Sequence, residues 1–125
     1  MTGGKDSCPD ENADFLSAWV REFSGAVTLC DSDGIVLEMN EAAAAMYRKY
    51  GGRKLIGKNL LDCHPEAARR KLLHLLESGE RNVYTIEKNG KKKLIFQAPF
   101  HTGGKRSGMV ELALEIPDHA PHFVR

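Results

Sequence analysis

Among the side chains that could do chemistry, Cys63-His64-Pro65 is the sharpest grouping. A thiol beside an imidazole can be a reactive nucleophile. Adjacent side chains on a helix diverge, however, so Cys63 and His64 do not converge easily on one metal ion. The plainer reading is a helix start, with Asp62 or Cys63 near the cap, Pro65 in the first turn and His64 exposed. His101 leads into Thr102-Gly103-Gly104-Lys105-Arg106-Ser107, which invites comparison with a phosphate loop. The required spacing fails, because Pro99 fills the first glycine position and Arg106 follows Lys105. That stretch reads as a solvated strand connection. His119 and His122 stand three apart in a tail broken by Pro121, with no third ligand evident, so no metal site is expected. Lys91-Lys92-Lys93 reads as a solvated strand end. No serine elbow, arranged carboxylate pair or dinucleotide fingerprint is recognisable, so catalysis is not expected.

The chain that must position these residues has 125 of them, room for one ordinary domain. Its 42% apolar and 28% charged residues are average for a globular protein and argue against disorder. Eighteen basic against seventeen acidic residues leave a charge of +1, which argues against a nucleic-acid binder. No apolar run is long enough to cross a membrane, and Met1 to Asn12 lacks the pattern of a secretion signal. Cys8, Cys30 and Cys63 are odd in number and far apart, as expected of reduced thiols in the cytoplasm.

Hydrophobic period then divides the chain. Residues 1–25 read as a polar tail followed by an amphipathic helix from about Asn12. Phe15, Leu16, Trp19, Val20 and Phe23 form its narrow aromatic stripe, which must lie on the domain's own sheet or on a second copy. Ala26 to Cys30 and Ile35 to Met39 flank the turn Asp31-Ser32-Asp33-Gly34 as a hairpin. Ile35, Leu37 and Met39 share one face of the second strand. Asn40 caps a helix through Tyr47 that Gly51-Gly52 ends. A connector at 55–61 precedes a helix from Pro65 to about Ser78-Gly79. Val83 to Lys88 and Lys92 to Phe100 flank Asn89-Gly90, a strong hairpin signal. His101 to Ser107 reads as a loop. Met109 to Ile116 then alternates, with Val110, Leu112, Leu114 and Ile116 inward and Glu111 and Glu115 outward. Residues 118–125 form a tail.

In this order and spacing the chain resembles a PAS domain over residues 26–117. The segment Val27 to Ala43 resembles the family's opening hairpin, with an Asp-x-x-Gly turn, a strand and an Asn that opens a helix. Leu55-Ile56-Gly57-Lys58-Asn59-Leu60 is similar to its aliphatic-Ile-Gly segment, and the Asn-Gly hairpin to its three-stranded half. The resemblance implies an α+β fold: a five-stranded antiparallel sheet in the order 2-1-5-4-3, with helices on one face and an N-terminal flanking helix. It implies a sensory or regulatory role in signal transduction, through a small ligand in the core, a signalling protein partner, or both. The flanking helix resembles one that often mediates dimerisation, so Phe15, Leu16, Trp19, Val20 and Phe23 are the candidate homodimer interface.

Some PAS domains bind haem through one histidine on a helix. That makes His64 a candidate ligand, and a haem or other cofactor-based redox or gas sensor the alternative function. Light-sensing members carry a Cys directly after the Asn of Gly-x-Asn, whereas Leu60 follows Asn59 here, so flavin photochemistry is not expected. Candidate lining of a ligand cavity is Leu29, Ile35, Leu37, Met46, Leu72, Leu76, Tyr84, Ile86, Phe96, Gln97, Leu112 and Leu114, residues that a filled core would equally need. Gln97 is polar in an apolar strand and must find a partner if it faces inward; alternation sends either it or Phe96 outward. Tyr84 raises the same question with its hydroxyl.

Overall fold

Short, β-rich apolar runs separated by turn residues build the sheet first. In the computed structural model, which describes residues 18–63 and 65–125 except the Cys63 side chain, β1 (Ala26–Asp31) pairs antiparallel with β2 (Val36–Met39). Phe15, Leu16 and His64 lie outside the described residues. Asp31 builds the connecting turn: its Oδ1 accepts from the backbone N–H of Asp33 and of Ile35, each at 2.9 Å. Gly34 completes the turn at φ 89°, a conformation that disfavours a side chain.

Helix α1 (Glu41–Met46) follows, capped by Asn40 and rich in alanine, so it lies close against β1 with Ala43 fully buried. Two turns of 3-10 helix, Arg48–Tyr50 and Gly52–Leu55, lead back toward β2. There the Ile-Gly segment covers an otherwise open sheet edge. Gly57 N–H donates to Val36 O at 2.8 Å, and Val36 N–H to Lys58 O at 2.9 Å. A third turn, Leu60–Cys63, precedes α2 (Glu66–Ser78), which ends at a left-handed Gly79.

Strands β3 (Asn82–Lys88), β4 (Lys91–Thr102) and β5 (Lys105–Ile116) form a meander. The sheet order is β2-β1-β5-β4-β3, as the resemblance implies. Asn89 and Gly90 both take positive φ in the β3–β4 turn, which suits the twist of a hairpin. The stretch expected to be a loop at His101 to Ser107 is mostly strand. Its true turn is only Gly103-Gly104, both at positive φ, flanked by the pair Thr102 and Lys105.

Two bulges decide which side chains meet. Between β1 and β2 the register slips, leaving Leu37 as the extra residue. Val36 and Met39 are therefore the buried pair, and Leu37 is 40% exposed rather than sharing a face with Met39. Between β4 and β5 the register slips between Phe100 and His101, with Ser107 the extra residue. The core lies between the sheet and the helices and gathers Cys30, Val36, Met39, Ala43, Leu55, Leu72, Leu75, Leu76, Ile95, Met109 and Ala113.

Candidate functional site

Cross-strand neighbours share a face, so the register lays one transverse row beneath the helices: Thr28 on β1, Glu111 on β5, Gln97 on β4 and Asn82 on β3. The row is polar in a layer that is otherwise aliphatic. Asn82 Nδ2 donates to Gln97 Oε1 at 2.8 Å, and Gln97 Nε2 donates to Glu111 Oε2 at 2.7 Å. From the far side, Tyr47 at the end of α1 donates its phenol O–H to Glu111 Oε1 at 2.9 Å. A carboxylate only accepts, so it fixes the sense of the whole chain of bonds. The buried Thr28 hydroxyl stands close enough to the Tyr47 phenol to favour its ionised form, but no hydrogen bond of normal geometry joins them.

Above this row lies a cleft of about 410 Å³. Leu60, Ala68, Leu72 and Leu75 wall it from the helical layer, Met109 and Tyr84 from the sheet, and Lys71 stands in its lining with an exposed side chain. Asn82, Gln97, Glu111 and Tyr47 supply its polar surface. The volume falls in the lower part of the range for small-molecule sites, roughly 300–1,000 Å³. Burial, reinforced by Glu111, pushes the Tyr47 phenol far above its usual range, and the same two causes raise Tyr84. Both phenols are thus neutral donors at any physiological pH. Burial likewise pushes the Cys30 thiol up to about 11, leaving it an unreactive core residue.

Of the residues expected to line a cavity, Leu72, Tyr84 and Gln97 do line this cleft. Leu76 is buried in the core, and Met46 packs against it. Ile86 shares the inner face with Tyr84 but is 40% exposed, toward the far end of β3. Ile35 forms an isolated bridge with Asn59 at the sheet edge. Leu29, Phe96, Leu112 and Leu114 are on the opposite face of the sheet, and Leu37 is on the bulge. The inward and outward assignment of β5 is therefore reversed: Met109, Glu111 and Ala113 face the helices, while Val110, Leu112 and Leu114 face away. Glu111, Tyr47, Asn82 and Lys71 also line the cleft, although no motif in the sequence marks them. Asn59, at the position preceding the photoreactive cysteine of light sensors, works structurally: its Oδ1 accepts from Leu61 N–H at 2.8 Å.

The opposite face carries a second groove of about 400 Å³, lined by Val27, Leu29, Val110 and Glu38 of the sheet and by Val20 and Arg21 of the helical segment 18–22. Trp19 and Phe23 pack edge to face at 5.8 Å between centroids and are 56% and 37% exposed. Asn40 ties this segment to the domain. Its Oδ1 accepts from Val27 N–H at 2.9 Å and Ala43 N–H at 3.0 Å, and its Nδ2 faces the carbonyls of Val20, Phe23 and Gly25. Among the described residues no group of His, Cys, Asp and Glu could hold a metal ion, and no helix is long and apolar enough to cross a membrane.

Residues 24–112 match the family profile described as a PAS domain, and the chain belongs to that family of sensory signalling modules. Among solved structures, the PAS domain of an HTR-like protein from Haloarcula marismortui is 14% identical, with 91% of this chain and 99% of that one covered at a TM-score of 0.66. The PAS domain of BvgS from Bordetella pertussis is 15% identical, covering 86% and 88% at 0.58. The Aer2 receptor from Vibrio cholerae, described as a dual PAS-heme oxygen sensor, is 15% identical, covering 74% and 95% at 0.57. At identities this low the structural likeness shows a shared fold and nothing more. No curated protein matches the chain at a significant level.

Proposed function

We propose that this chain is a non-catalytic sensory module that binds a small ligand in the cleft above Glu111 and signals as a homodimer. The observation that carries the ligand reading is the polar row itself. Polar groups buried in a core layer need partners, and an apolar row would be simpler to pack. Here four polar side chains meet at the floor of a cleft large enough for a ligand, with Gln97 only 8% exposed. The convergence of a few polar groups in an otherwise apolar pocket is the usual form of a small-molecule site.

A fragment screen by nitrogen-15 NMR tests this. Binding fragments are expected to shift the resonances of Tyr47, Gln97, Met109 and Glu111 together. Ala68→Phe, which fills the cleft from α2, should abolish those shifts while leaving the spectrum folded. A screen in which no fragment moves these resonances would refute the reading.

The dimer is supported by the apolar outer face of the sheet, where Val27, Leu29, Val110 and Leu112 are all half-exposed, and by the exposure of Trp19 and Phe23. Light scattering at rising concentration should show a dimer that Trp19→Asp dissociates. A monomer throughout would overturn it. Cytoplasmic location belongs to the same proposal, and residues that would set the output lie in partner surfaces rather than in a nucleic-acid interface.

A further inference from the structure

We propose that the ligand of the cleft is a small organic cation, one that presents a protonated nitrogen to Glu111 and lays an apolar body against Tyr84. The proposal rests on the reading that the cleft binds a ligand. It follows from what the cleft leaves unsatisfied. The hydrogen bonds of the row all run one way, toward the Glu111 carboxylate, which receives one donor at each oxygen. A carboxylate has about four lone-pair positions, so each oxygen keeps room for a further donor. The ion pairs among the described residues are His74–Glu80 and Lys91–Glu115, and neither involves Glu111. Lys71 lines the cleft as an exposed residue and forms no ion pair with Glu111.

The surroundings select the same chemistry. Neither Tyr47 nor Tyr84 can carry the positive charge that would balance Glu111, and aromatic faces favour a neighbouring cation. An anionic head group would meet the carboxylate directly. A neutral hydroxyl could donate to it, but a charge-assisted bond is roughly twice as strong. A cleft of about 410 Å³ sets the size at one or two rings.

Three probes with one body and different heads decide the matter: 2-phenylethylamine, 2-phenylethanol and phenylacetate. Each is titrated into the full chain while the side-chain amides of Gln97 and Asn82 are followed by NMR. The amine is expected to bind at least about tenfold more tightly than the alcohol, and phenylacetate more weakly still. Glu111→Gln keeps the shape and one acceptor but removes the charge, and should bring the amine down to the level of the alcohol. The proposal is overturned if the alcohol or phenylacetate binds as tightly as the amine, if Glu111→Gln leaves amine binding unchanged, or if the amine moves no cleft resonance. The wild-type series decides alone should the variant not fold. Shifts at the cleft from the alcohol or phenylacetate, with none from the amine, would remove the cation and keep the ligand site. Silence of the cleft toward all three probes and the whole fragment screen would remove both.

Discussion

The two faces of the sheet in this PAS domain are made from alternate residues of the same strands, yet they are built on opposite principles. The inner face, under the helices, carries Thr28, Glu111, Gln97 and Asn82 in one row. The outer face carries Val27, Leu29, Leu112 and Phe96, half-exposed. The covered face is thus the more polar of the two along this row. A hydrophobic core normally runs the other way, with buried polar groups the exception. The inversion separates two tasks: a directional polar floor suits recognition of a small molecule, and a broad aliphatic face suits a protein surface.

Substitutions can break this contrast at several levels. The largest effect is expected where the two faces depend on the same backbone. A Cβ at Gly108 would collide with the Cys30 carbonyl oxygen in the neighbouring strand. Gly108→Val should therefore prise β5 from β1 and destabilise by more than about 4 kcal/mol, read as loss of the cooperative unfolding transition. Next comes Asn40, which joins the helical segment 18–22 to the domain. Asn40→Ala removes the α1 cap and strands Val27 N–H, and about 3 kcal/mol is expected by urea unfolding. An Asn40→Asp variant should recover the part that depends on the acceptor oxygen.

The inner row alone is probed by Glu111→Leu, which leaves Tyr47 and Gln97 without their acceptor. A loss of about 2 kcal/mol is expected, with Glu111→Gln retaining more stability than Glu111→Leu. High pH tests the same layer without mutation. The folded Cys30 thiol titrates near 11 against an ordinary 9.0, so it favours the folded state fully below about 9. That contribution, on the order of 2 kcal/mol, is lost as pH rises from 9 to 11. The raised Tyr47 phenol extends the decline upward from about 10. Unfolding midpoints measured from pH 8 to 11 should fall, and fall less steeply in Cys30→Ala. The smallest effect should come from the outer face: Leu29→Ser is expected to change monomer stability by under about 1 kcal/mol while weakening self-association. A loss comparable to that of Glu111→Leu would erase the contrast between the faces.

How much of this the sequence could tell depended on the turns. Asn89-Gly90 admits one register, and that register places Asn82 opposite Gln97, so half of the polar row was legible. The other half was hidden by the bulge at Ser107. An uninterrupted ladder from the Gly103-Gly104 turn would pair Gln97 with Val110; the slipped one pairs it with Glu111. Alternation in β5 correctly separates Glu111 from Leu112. It cannot say which of them faces the helices, because the outer face is aliphatic as well and the usual sign of the pattern reverses. Leu37 fails for the same kind of reason, since a bulge turns it out of phase with Met39. Tyr47 lies 64 residues from Glu111, a contact that only the packed helix α1 creates. The hairpin turns, the Asn40 cap and the Gly79 stop followed from motifs that are local, whereas the sheet order followed only from the family resemblance.

If the inner, polar face is the ligand face, a bound ligand must touch its side chains. Intermolecular NOEs between bound 2-phenylethylamine and the protein read this contact. Contacts to the Tyr47 and Tyr84 rings and the Met109 methyl are expected. Contacts to the methyl groups of Leu29, Val110 and Leu112 instead would place the ligand on the outer face and contradict it.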